Sequence, residues 1–148
     1  MRHVMLLRHA KSSWDRTDLD DFDRPLSPRG RAAAPVIGRH VSHEGFWPDL
    51  VLCSPAERAR QTWELVSAEW DQADKPRPPR LEVRSSLYMA MPAELLSTLS
   101  NVADEIMSVM VIGHNPGLGQ FANRLVRNGQ PQLRTIMAKK FPTAALAV

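Results

Sequence analysis

The chain has 148 residues, enough to bury one sizeable core and too few for two ordinary domains, so a single domain over residues 1–148 is expected. Its one cysteine, Cys53, cannot form an intramolecular disulfide, and no apolar stretch approaches a signal-peptide core or a membrane span, so a reducing, cytoplasmic setting is expected. The 19 Lys+Arg against 16 Asp+Glu leave a net charge of +3, scattered rather than gathered into a basic face with interleaved aromatics, which argues against nucleic acid and suits an anionic ligand.

Val4-Met-Leu-Leu7 is a short apolar run that ends directly in Arg8 and His9. Such a run reads as an inner strand of an α/β sheet, whose ligands bind beyond the carboxyl ends of the strands. The segment Lys11 to Arg24 carries Asp15, Asp18, Asp20, Asp21 and Asp23. It lacks the turn glycine and closing glutamate of a calcium loop and reads as a solvated loop beside the site. Ser27-Pro28 starts a helix with Ser27 as N-cap and Ala33, Val36, Ile37 and Val41 as its apolar positions. Pro35 is expected to kink or interrupt that helix, and Gly45 to end it. His40 and His43 lie three apart on its last turn, but no further ligands complete a metal set, and both read as exposed.

Asp49 to Cys53 is a second apolar strand. Ser54-Pro-Ala-Glu57 follows with the pattern of an N-cap, a first-turn proline and a capping-box glutamate. The helix it opens carries Arg58 in its first turn and is expected to bury Ala59, Trp63, Val66 and Trp70. Asp71 to Arg80, with its prolines and the basic cluster Lys75 to Arg80, reads as a solvated surface connector. Leu81 to Val83 is a short strand, and Pro92 opens a helix bearing Leu95, Leu96 and Leu99.

Val109 to Ile112 is the third clear strand, followed by Gly113-His114-Asn115-Pro116, where Asn115 caps the next helix. Leu118, Phe121, Ala122, Leu125 and Val126 mark its apolar face and Gly129 its C-cap. Thr143 to Val148 reads as a last strand cut by the chain end, so a natural C-terminus extending past Val148 is expected. Trp14, Trp47, Trp63 and Trp70 read as core or core-rim residues.

Three apolar strands thus end in turns that bear Arg8 with His9, Arg58, and His114. In one mainly parallel sheet these residues meet at one edge. Two guanidiniums can grip a tetrahedral dianion, and neutral imidazole is a competent nucleophile near neutral pH. No Gly-rich phosphate loop, zinc-ligand spacing or Gly-x-Ser-x-Gly occurs, and neither metal nor cofactor is expected.

Leu7-Arg8-His9-Ala10-Lys11-Ser12 resembles the Arg-His-Gly signature of the histidine phosphatase superfamily, with alanine in place of the usual glycine. Ser54 to Thr62 resembles its second arginine motif and Gly113-His114-Asn115 its second histidine, in matching order along the chain. Asp23-Arg-Pro-Leu-Ser-Pro-Arg-Gly30 and the small size resemble the SixA-like branch of phosphohistidine phosphatases, which tolerates Ala10. The resemblance implies a phosphoglycerate mutase-like fold, a three-layer α/β/α sandwich around a mainly parallel sheet. It also implies His9 as the nucleophile, Arg8 and Arg58 as the phosphoryl clamp and His114 as a further donor, with Asn115 and Ser12 shaping the pocket.

Mutase and acid-phosphatase relatives carry an acidic proton donor after the third strand, whereas this chain reads Val83-Arg-Ser-Ser-Leu-Tyr88 there. Asp15, Asp18 and Glu94 stand as substitute acids. An imidazole leaves phosphorus with less help than an alkoxide, so the site suits P–N cleavage better than alkyl P–O cleavage. The expected substrate is phosphohistidine on a partner protein such as a phosphotransfer domain or carrier. A phosphomonoesterase for a small metabolite or a phosphoserine/threonine peptide, and a non-catalytic phosphate-binding module, remain the alternatives.

Overall fold

The computed structural model describes residues 2–70, 78–126, 128 and 130–148. Among these residues five strands, β1 (His3–Arg8), β2 (Leu50–Cys53), β3 (Arg80–Val83), β4 (Ser108–Gly113) and β5 (Leu146–Ala147), form one sheet in the order β3-β2-β4-β1-β5. β1 runs parallel to β4, β4 to β2 and β2 to β3, while β5 is antiparallel to β1. The helices are α1 (Pro28–Glu44), α2 (Glu57–Ala68), α3 (Pro92–Ser100), α4 (Gly117–Leu125) and α5 (Pro131–Lys139).

Alternation along the strands divides the core into two layers. Met5, Leu7, Val51, Cys53, Met110 and Ile112 pack with Ala34 and Val41 of α1 and Ala59 and Val66 of α2. On the opposite face Leu6, Leu52, Val109 and Val111 pack with Leu95 and Leu99 of α3 and Leu118 and Phe121 of α4. Both faces of the sheet are covered, which is why its strands read as unbroken apolar runs. The expected three-layer α/β/α sandwich is present. Arg8 pairs with Gly113 and Cys53 with Ile112, so the carboxyl ends of β2, β4 and β1 lie side by side.

Several local expectations change. α1 begins under its Ser27 cap, whose hydroxyl accepts from Gly30 N, and stops at Gly45 in the left-handed region, but it continues through Pro35. Its buried face is Gly30, Ala34, Gly38 and Val41, whereas Val36 is 52% exposed. The seam with α2 is made of small residues: a Cβ at Gly38 would sit 2.5 Å from the Val66 carbonyl oxygen. The Trp70 indole donates to the Gly38 carbonyl at 2.9 Å and stacks edge-on with Trp47 and Trp63. Trp14, expected near the core, is 68% exposed, and the Arg24 guanidinium lies over its ring.

α4 closes at Leu125 with Val126 already extended, and the expected cap at Gly129 lies outside the described residues. Residues 71–77 of the expected connector also lie outside them. α5 has no counterpart in the sequence reading, because its apolar residues Leu133 and Ile136 remain exposed rather than forming a buried stripe. The last strand is present but only two residues long.

The start of α4 passes so close to the loop before α3 that a Cβ on Gly117 would run into the Ala90 carbonyl. Gly117→Ala is expected to destabilise the fold by about 1–3 kcal/mol through this overpacking, read as a lower midpoint in thermal or urea unfolding.

Candidate active site

His9 follows β1 directly, and its backbone N–H donates to Gly113 O at 3.1 Å, extending the parallel ladder by one bond. Ala10 is fixed to α2 in turn: its N–H donates to Thr62 Oγ1 at 3.0 Å, and that hydroxyl donates to Arg58 O. The His9 ring is thereby set between sheet and helix, 7% exposed. Its Nδ1 lies 2.7 Å from Ala10 O and its Nε2 accepts from Arg58 Nε at 3.3 Å. A carbonyl and a guanidinium allow one arrangement only, with the proton on Nδ1 and the lone pair on Nε2.

Arg58 lies in the first turn of α2, 4% exposed. Besides His9 it reaches the backbone carbonyl of Asp21 through Nη1, Asp21 Oδ2 through Nη2 at 2.8 Å, and His114 Nδ1 through Nη2 at 3.3 Å. His114, just beyond β4, must therefore carry its proton on Nε2, which donates to Ser54 Oγ at 2.7 Å. The two imidazoles are 5.0 Å apart between ring centres.

Burial, followed by the charges of Arg58 and Arg8, lowers the His9 pKa to about 4, against the opposing pull of the Ala10 hydrogen bond. Burial also leads in lowering His114 to about 3, with His9 and Arg58 adding to it. Both rings are neutral near pH 7, and His9 Nε2 turns its electron pair, unprotonated, toward the fixed cation of Arg58.

The model of the histidine phosphatase superfamily (branch 1) matches residues 4–84. The chain belongs to this superfamily. An uncharacterized chloroplastic protein of Arabidopsis thaliana is 36% identical over 131 residues, 84% of this chain but only 59% of that longer protein. The solved structure assigned as the phosphohistidine phosphatase SixA of Agrobacterium tumefaciens is similar at a TM-score of 0.83 and 31% identity, covering 97% of this chain and 88% of that one. A protein histidine phosphatase SixA complexed with tungstate is similar at a TM-score of 0.76 and 26% identity, covering 97% of this chain and 84% of that one.

The remaining expected site residues of this histidine phosphatase fall in two groups. Arg8 Nη1 donates to Phe141 O at 2.7 Å, and Asn115 Nδ2 donates to the same oxygen at 2.8 Å, while Asn115 Oδ1 accepts from Gly119 N inside α4. The buried Arg8 Nε has no hydrogen-bond partner among the described residues, and burial lowers the Arg8 pKa. Ser12 Oγ accepts from Arg24 Nη2 at 2.9 Å, so its contact with the site runs through that guanidinium.

Of the substitute acids, Asp15 accepts from Ser13, Asp18 pairs with Arg16 at the surface, and Glu94 closes the capping box of α3 at Met91 N. The carboxylate on Arg58 is Asp21, which also accepts from Arg24 Nη1 at 3.0 Å and from the Tyr88 hydroxyl at 2.9 Å. Sequence reasoning passed over Asp21 among its acidic neighbours and gave Ser54 to a helix cap, where α2 instead starts after Ala56 without a side-chain cap. A serine and an arginine flanking one strand-to-helix turn was the available signal.

The depressed histidine pKa values carry a stability cost on acidification. Between the ordinary histidine value of 6.5 and the folded values near 4 and 3, the unfolded chain takes up protons that the fold excludes. Each histidine then removes about 1.4 kcal/mol of stability per pH unit as pH falls through this window. Urea unfolding at pH 7.5, 6.0 and 5.0 is expected to show this decline, and His114→Asn to make it shallower.

Proposed function

We propose that this phosphatase takes the phosphoryl group from phosphohistidine on a partner protein, through a covalent phosphohistidine at His9 Nε2 and without a metal ion. The observation that carries the reading is the state of His9: Nδ1 is committed to Ala10 O, and the Nε2 lone pair faces the guanidinium of Arg58.

In-line attack needs an electron pair on the nucleophile and positive charge around the three equatorial oxygens of phosphorus. His9 supplies the first. Arg58 and Arg8 supply the charge, and the Nε2–H of His114 supplies a neutral donor once it turns from Ser54. Asn115 and Ser12 support the clamp indirectly, Asn115 by holding Phe141 O beside Arg8 and Ser12 by holding Arg24. Hydrolysis follows when water attacks phosphorus on the opposite face, and the pair returns to His9 as the P–N bond breaks. The tungstate held by the similar SixA structure is a tetrahedral oxyanion of the kind this cluster would grip.

The choice of phosphohistidine rests on the acid–base character of the mouth. The loop segment that carries a proton donor in mutase-like relatives presents Tyr88 here, bonded to Asp21. A leaving imidazole needs no strong acid to depart. The mouth meets solvent at Asp21, whose side chain is 50% exposed beside the 4% exposed Arg58. The single, buried Cys53 suits a reducing compartment such as the cytoplasm.

Phosphate release from a phosphohistidine carrier protein tests the reading, with a phosphoserine peptide in a parallel assay. His9→Ala is expected to lose at least about a thousandfold in turnover and all acid-labile phosphoenzyme, Arg58→Ala about a hundredfold or more, and EDTA to change nothing. Wild-type turnover confined to the phosphoserine peptide would replace phosphohistidine with an ester as the substrate.

A further inference from the structure

From His9 a line of contacts leads outward: His9 Nε2 to Arg58 Nε, Arg58 Nη2 to Asp21 Oδ2, and Asp21 Oδ2 to the Tyr88 hydroxyl. Exposure rises along it, from 4% for the Arg58 side chain to 50% for that of Asp21. Asp21 therefore stands where the buried Arg58 meets solvent, at the exposed end of the line that starts at His9. Burial works against charge on Asp21, but the hydrogen bonds from Tyr88 and Arg58 and the charges of Arg58 and Arg24 outweigh it and hold the carboxyl below its usual range. Tyr88 moves the other way, raised by burial and by Asp21, and keeps its proton. The mouth thus offers an anionic acceptor rather than an acid. A carboxylate oxygen accepts about two hydrogen bonds, and among the described contacts Oδ1 holds only Arg24, which leaves room for one more donor.

We propose that Asp21 selects an imidazole leaving group by accepting the N–H of its second ring nitrogen, and so favours P–N over P–O substrates at this site. The proposal rests on the phosphohistidine reading and names the residue that enforces it. The lone pair of His9 Nε2 forms the new N–P bond while the pair of the old P–N bond passes to the departing nitrogen. The substrate reacts as its phosphoimidazolium form, protonated from solvent on the second ring nitrogen; that proton stays there, hydrogen-bonded to Asp21, and the ring leaves as neutral imidazole. Asp21 gains and loses no proton. An ester brings no such N–H, and its departing oxygen develops negative charge facing a carboxylate, so Asp21 favours one class and repels the other.

The test compares kcat/KM for phosphoimidazole and for p-nitrophenyl phosphate in the wild type, Asp21→Asn and Asp21→Glu. Asp21→Asn is expected to lower the ratio of phosphoimidazole to aryl-ester turnover by about tenfold or more, and Asp21→Glu to restore most of it. An equal fall for both substrates would mean that Asp21 only steadies Arg58, and would overturn the proposal while leaving the phosphohistidine reading intact. A wild type that turns over the aryl ester but not phosphoimidazole overturns that reading and this one together. If Asp21→Asn does not fold, Asp21→Ser reads out the same ratio.

Discussion

A guanidinium held at 4% exposure is the constraint around which the site forms. A buried guanidinium demands acceptors on every side. Those it finds are two imidazole nitrogens, a backbone carbonyl and one carboxylate. Because a guanidinium only donates, His9 and His114 are each obliged to turn a lone pair toward it and to stay neutral. The proposed clamp and the readiness of the proposed nucleophile are therefore one arrangement, and a change in either disturbs both.

That arrangement depends on the sheet. The strand order places β4 between β1 and β2, so His9, His114 and Ser54 leave three adjacent strands at the same level. Thr62 then ties the turn after β1 to the helix after β2, bonding Ala10 N on one side and Arg58 O on the other. Small residues permit the approach: Gly38 lets α1 lie against α2, and Gly117 lets α4 begin directly beneath the loop of Ala90. The geometry at His9 is thus fixed by backbone contacts of its own turn within a tightly packed frame.

Strand ends were the legible part of the sequence. Arg8, His9, Arg58 and His114 each follow an apolar run closely, and the parallel topology brings them together. Asp21 was illegible for a physical reason: in a loop with five aspartates, no periodicity distinguishes the one that folds back onto Arg58 from those that face water. Ser54 looked like a cap because hydroxyl, proline and glutamate have capping spacing, yet its oxygen meets a histidine 60 residues away in the chain. The face of α1 was misplaced because its seam is built from glycine and alanine, which carry little hydropathy, and packing closeness replaced apolar bulk as the organising quantity. α5 lacks a buried stripe and left no pattern to read.

Cys53 closes β2 one residue before Ser54, fully within the core, and burial pushes its thiol up to about 12. Almost none of it exists as thiolate near neutral pH, and thiolate is the form that peroxides attack. The proposed nucleophile is an imidazole nitrogen, outside the sulfenic, sulfinic and sulfonic series through which a cysteine nucleophile is lost. Oxidative stress that silences thiolate-based catalysts would therefore leave this chemistry running.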